Sequence, residues 1–163
     1  MATKKGTNYN PALGTSFKME IPGFEVYNYF IQETEIPGLN MAGVDAPYRN
    51  NATNVPSNRI EYDPLNINLI IDEDFQNFLS IHLWMLEISF GKKPLSDLMR
   101  DLTLHILDSN KQPKIEIIYY SAYPISTGTT PLQSNVGDVV PVFCPMMFRY
   151  QYFDIKSVTN PEI

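Results

Sequence analysis

Covalent staples are missing. The 163-residue chain has one cysteine, Cys144, so it can close no internal disulfide and build no multi-thiolate zinc site, a pattern that suits a reducing compartment. Basic charge is also scarce. Twelve Lys and Arg stand against 18 Asp and Glu, a net charge of -6, which leaves no basic surface for binding many phosphates. Long apolar runs are lacking too: the stretch at 69–71 gives way to Asp72, Glu73 and Asp74, and the stretch at 81–90 is broken by His82 and Glu87. Neither approaches the roughly 20 residues of a membrane span. Lys4 and Lys5 are followed by no apolar segment, so no secretory signal is expected, and the chain reads as soluble with no membrane partner.

The chemical signatures of enzymes are absent as well. No G-x-S-x-G, G-x-G-x-x-G or G-x-x-x-x-G-K-[ST] pattern occurs. The two histidines, His82 and His105, lie in no metal-binding spacing, and Cys144 between Phe143 and Pro145 reads as a small buried hydrophobe rather than a nucleophile. The acidic run Asp72, Glu73, Asp74 is explained by the start of a helix, where carboxylates cap free N–H groups and meet the positive dipole end. No catalytic, cofactor-binding or metal-binding residue is therefore expected, and no cofactor.

What is present is a core of ordinary size and many aromatics. Hydrophobic residues make up 44% and aromatics 12%, consistent with one domain over residues 1–163. Residues 1–15 read as an N-terminal arm without periodicity. Phe17, Met19 and Ile21 alternate with polar residues, Pro22-Gly23 marks a turn, and 24–32 runs on in extended character, a hairpin pattern. Residues 36–58, rich in Pro and Asn, show neither period and read as a long extended loop reaching outward.

Leu65, Ile67 and Leu69 against Asn66 and Asn68 form the clearest strand, one face buried and the other wet. A helix follows, with Phe75, Phe78, Leu79, His82, Leu83 and Leu86 on one stripe expected to face the core, ended by Gly91 and Pro94. Leu102, Leu104 and Ile106 turn through 108–113 into a return strand at 114–123, a second hairpin. The last extended region, 139–155, carries Pro141 and Pro145, which points to edge or bulged positions. The sum predicts a mainly β fold: an antiparallel sandwich or barrel with one packed α-helix and a long extended loop.

In their order these segments resemble a known family, the tail-tube-fold proteins of contractile-tailed bacteriophages. The resemblance is carried by Glu61, Tyr62, Asp63 and Pro64 leading into the strand at 65–71 and the acidic helix start, then Phe78, Ile81 and Trp84. It continues through 101–113, through Ala122-Tyr123-Pro124-Ile125-Ser126 and through 147–154, and Glu35-Ile36-Pro37-Gly38 looks like the turn opening the long loop. The resemblance implies a structural, non-enzymatic virion protein whose six copies close into a ring of the tail tube, with rings stacking around a lumen through which DNA passes without specific binding.

It further implies that the 36–58 loop and the arm lie across neighbouring copies, with Pro37, Tyr48, Arg49, Asn51, Asn54 and Pro56 as candidate inter-subunit contacts. Asn66 and Asn68 are the candidate lumen-facing residues, and the net negative charge suits a wall that repels phosphates. Implied partners are further tube rings and the sheath, baseplate or neck proteins, in a virion tail assembled in the host cytoplasm. A terminator or completion ring, a baseplate tube initiator, or the tube of a related contractile injection system are the alternatives that share the fold.

Overall fold

The computed structural model describes residues 14–48, 51–132 and 141–158, with the backbone alone at Val26, 44–48 and 51–53. The N-terminal arm up to residue 13, Arg49, and the start of the last extended region at 139–140 lie outside the described residues.

Among the described residues, nine strands and two α-helices follow the expected mainly β pattern: β1 Phe17–Glu20, β2 Ile31–Thr34, β3 Leu39–Tyr48, β4 Asn51–Tyr62, β5 Leu65–Ile70, α1 Gln76–Phe90, a short α2 Leu95–Leu98, β6 Arg100–Leu107, β7 Pro113–Thr127, β8 Phe143–Arg149 and β9 Tyr152–Ser157. All pairings are antiparallel. The main sheet runs β1-β6-β7-β8-β5-β2, with β9 also on β7.

β7 is the pivot. Its first half lies between β6 and β9, and its second half, from Tyr123, pairs with β8. Between the halves Ser121 takes φ 53°, and its N–H donates to Asp101 Oδ1 at 2.8 Å. The bend folds the two halves over one core. Met19, Leu102, Leu104, Ile117 and Tyr119 face it from one half, and Leu65, Ile67, Leu69, Cys144, Met146 and Phe148 from the other. The alternation read at β5 is thus the real one, because a strand packed on one side must bury every second residue.

Three expectations change. β1 and β2 do not form a hairpin: β1 pairs with β6 and β2 with β5, and the aromatic run between them is a 3-10 helix, Glu25–Phe30. Asn28 Oδ1 accepts from the Ile21 N–H at 3.0 Å and holds that turn against the end of β1. The second change is the 36–58 segment, which forms strands β3 and β4 rather than a loop. Pro145 pairs with Asn68 of β5 and lies just past the last β7–β8 register pair, Thr127 with Met146, so its missing N–H breaks no ladder, as expected.

The third change is the helix. Its buried residues are Asn77, Ile81 and Trp84, whereas Phe75, Leu79, His82 and Leu83, expected inside, are exposed. Trp84 is fixed by its indole N–H, which donates to the Leu98 carbonyl at 2.7 Å, and by ring contacts to Phe24 and Phe148. Asn77 joins the helix to β5. Its amide donates to the Ile70 carbonyl at 2.8 Å, its Oδ1 accepts from the Asp72 and Phe78 N–H groups, and Asp72 Oδ1 caps the Asn77 N–H at 3.2 Å. Of the acidic run, Asp72 does the capping. Gly91, at φ 59°, terminates the helix in the left-handed conformation that glycine adopts without strain.

Candidate assembly surfaces

The segment 36–58 is not a loop. Together with residues up to Tyr62 it forms β3 and β4, a separate two-stranded antiparallel sheet with Leu39 opposite Tyr62 and Tyr48 opposite Asn51. Pro47 and Pro56 are accommodated because each strand has a free outer edge, where a missing N–H breaks no ladder. At about 3.3 Å per residue the ten residues of β3 make an arm of roughly 33 Å.

The arm is anchored at its base. The Asp63 N–H donates to the Gly38 carbonyl at 3.1 Å, Asn40 donates to Asp63 Oδ1 at 3.0 Å, and Tyr62 packs edge-on against Tyr150 and Phe153. The Tyr150 hydroxyl donates to the Asp63 carbonyl at 2.8 Å, and burial, with Asp63 and Tyr62 beside it, pushes its pKa up to about 12. Beyond the base, Leu39, Met41, Val55 and Ile60 are all exposed. An isolated hairpin is marginally stable in water, and four large uncovered apolar side chains on such an arm fit a surface completed by another molecule.

The candidate contact residues divide accordingly. Asn54 and Pro56 are exposed on β4, and Pro37 is buried within its own chain at the arm's root. Tyr48 and Asn51 close the arm as its last register pair, their side chains being outside the described set, as is Arg49 altogether.

Asn66 and Asn68 stand on the outward face of β5, opposite its buried residues. The Asn66 amide donates to the Glu35 carboxylate. Asn68 is half-buried, and its Oδ1 has no hydrogen-bond donor among the described residues. Both line a shallow cleft of about 320 Å³ that also takes in Glu33, Glu35, Pro145 and Met147. This face is neutral to acidic, carrying the carboxylates of Glu33 and Glu35 and, at the far end of β8, Arg149.

The outward face of the β1-β6-β7-β9 half is different. Lys18, His105, Glu116 and Lys156 form one register row across it. His105 reaches Glu20 at 3.7 Å and Glu116 at 3.5 Å, and Lys18 bonds Glu20 at 2.5 Å. The Lys18 hydrogen bond, working against partial burial, holds the Glu20 carboxyl below its ordinary 4.5. His105 is thus a cross-strand partner, and His82 stacks on Phe78 at the helix surface. Among the described residues no three His, Cys, Asp or Glu side chains converge to hold a metal ion, and no helix is long and apolar enough to cross a membrane.

Sequence reasoning missed two features of these surfaces: the hairpin, and the apolar stripe that α1 turns outward. The signal for the second was present, since α1 carries a single charged residue, Glu87, in 15 positions.

Comparison with known proteins identifies relatives of this architecture. A family described as phage tail tube protein matches residues 2–156. The tail tube terminator protein of Enterobacteria phage T4 is 24% identical over 160 residues, covering 91% of each chain. Among solved structures, the tube-terminating cap of the anti-feeding prophage superposes with a TM-score of 0.69 at 11% identity, over 97% of this chain and 100% of that one. The sheath/tube terminator of the PVC extracellular contractile injection system, in its extended state, gives 0.68 at 10% identity over 92% and 99%.

Proposed function

The chain belongs to the phage tail tube protein family, and from that premise we propose that it is the ring that ends a contractile tail tube. The observation that carries this reading is the similarity to a tail tube terminator across 91% of both chains. The likeness in fold to two further tube-ending proteins supports it. The role is structural and not catalytic.

In this reading six copies close a ring head to tail. Each arm, β3 with β4, lies across a neighbouring copy, where Tyr48, Arg49, Asn51, Asn54 and Pro56 make the contact and Leu39, Met41 and Ile60 lose their exposure to water. Pro37 serves at the root by directing the arm rather than by touching the neighbour. The outward face of β5, with Asn66 and Asn68, borders the lumen. Neutral amides beside Glu33 and Glu35 offer phosphates no cation in the cleft, and Arg149 at the far end of β8 is too little positive charge to hold DNA, so DNA slides past. The ring sits on the last tube ring in a tail assembled in the host cytoplasm, next to the sheath and neck proteins.

A main tube ring is the second reading, favoured by the fold shared with the sheath-tube complex of the same PVC system, at a TM-score of 0.64. Adding the purified protein to growing tubes separates the two. A terminator binds one end and halts elongation, whereas a main tube protein is incorporated along the length. A protein that does neither contradicts both readings.

A further inference from the structure

α1 is apolar on two opposite sides. Asn77, Ile81, Trp84 and Ile88 face the core. Leu79, Leu83, Leu86 and Phe90, at the spacing i, i+4, i+7, i+11, form a second stripe on the other side, and Leu79, Leu83 and Phe90 are exposed by 44%, 51% and 64%. Helices apolar all round are covered on both sides in their working state. The protomer covers one side.

Charge at the two ends of the stripe indicates what covers the other. Just before α1, Glu73 and Asp74 are exposed with no ion-pair partner among the described residues. Just after it stand Lys92, over the Phe90 ring at 5.8 Å, and Lys93, 3.3 Å from Glu87. One end is acidic and the other basic, so the surface is complementary to itself when turned end for end.

We propose that the free subunit pairs with a second copy of this chain through antiparallel packing of α1 on α1. The stripe is centred between Leu83 and Leu86. Antiparallel pairing about that centre offsets Lys92 and Lys93 from Glu73 and Asp74 of the other copy by about one helical turn along the axis, roughly 5 Å, which long lysine side chains reaching across the helix pair can close. Four large apolar residues from each copy meet along a helix of about 22 Å, an area at the weak end of specific interfaces. Such a contact is isologous and closes at two copies. It is therefore distinct from the head-to-tail contacts of a ring, and it stands independently of the ring reading.

The test uses complementary charge variants of the full chain in sedimentation velocity, at protein concentrations below those at which rings form. Lys92→Glu/Lys93→Glu makes both ends acidic, and Glu73→Lys/Asp74→Lys makes both basic. Each alone is expected to dimerise at least roughly tenfold more weakly than the parent chain, while an equimolar mixture recovers the dimer. Leu83→Glu abolishes dimers without changing the circular dichroism spectrum or, by electron microscopy, the rings. A parent chain that is monomeric, or a mixture that recovers nothing, overturns the proposal. Loss of rings with Leu83→Glu also overturns it, by placing the stripe in the ring contact.

Discussion

Arg100 holds its guanidinium 4.7 Å from the Phe24 ring and 4.7 Å from the Trp84 ring, while the two rings stack on each other 5.6 Å apart. The same guanidinium donates to the Pro22 carbonyl. One side chain from the start of β6 thereby ties together the turn after β1, the 3-10 segment and the core face of α1. Partial burial lowers its pKa below the ordinary guanidinium value, against the attraction of Glu87 and Glu25, yet a guanidinium remains charged at any working pH.

Removing either partner should loosen this junction. Trp84→Ala is expected to cost about 3–5 kcal/mol, since it empties a core site that is 3% exposed and frees the Leu98 carbonyl. Arg100→Ala is expected to cost about 2 kcal/mol through the lost ring contacts and hydrogen bond. Urea unfolding measures both. A Trp84→Ala midpoint equal to that of the parent chain would contradict the burial of the helix face.

Asn77 should behave as a polar keystone. Asn77→Leu keeps the side-chain volume but strands the Ile70 carbonyl and the N–H groups of Asp72 and Phe78, a loss of about 2–4 kcal/mol. Thermal melting of that variant above the parent temperature would show that apolar packing outweighs the hydrogen bonds there.

The arm should contribute to assembly rather than to the fold. Deleting residues 44–55 and closing the strands with Asn-Gly is expected to leave the melting temperature within a few degrees, because the uncovered side chains of the arm add little to the core. Rings should be lost, while a dimer formed through α1 should remain. Ring-sized species that persist in analytical ultracentrifugation would remove the arm from the interface.

Glu20 gives a pH test. Its pKa is lowered in the folded chain, mainly by the Lys18 hydrogen bond, so the stabilisation it brings is present above its unfolded pKa and is lost as pH falls through the folded value. The effect is small because the pair is largely exposed. Lys18→Met is expected to move the Glu20 titration, followed by carboxyl NMR, upward toward 4.5 and to narrow the acid window in which stability declines. A titration that does not move would reject Lys18 as the cause.

How far these features can be read from residues alone depends on what each segment packs against. The β5 alternation was legible because Leu65, Ile67 and Leu69 are buried by their own chain. The arm was not legible. Its Leu39, Met41 and Ile60 answer to no core within the protomer, so no inward period marks the strands. The wrong stripe of α1 was chosen for a related reason: leucines dominate the outward side, while the inward side is built around Asn77, which no hydrophobic pattern selects. For the 36–58 segment, its separation from the core was legible and its hairpin form was not.

The most direct test of the central claim is negative-stain electron microscopy of the purified chain. The account predicts discrete six-fold rings with an open centre that do not extend into long tubes. Long hollow tubes would contradict the terminal position, and particles without a ring at any concentration would contradict assembly through the arm.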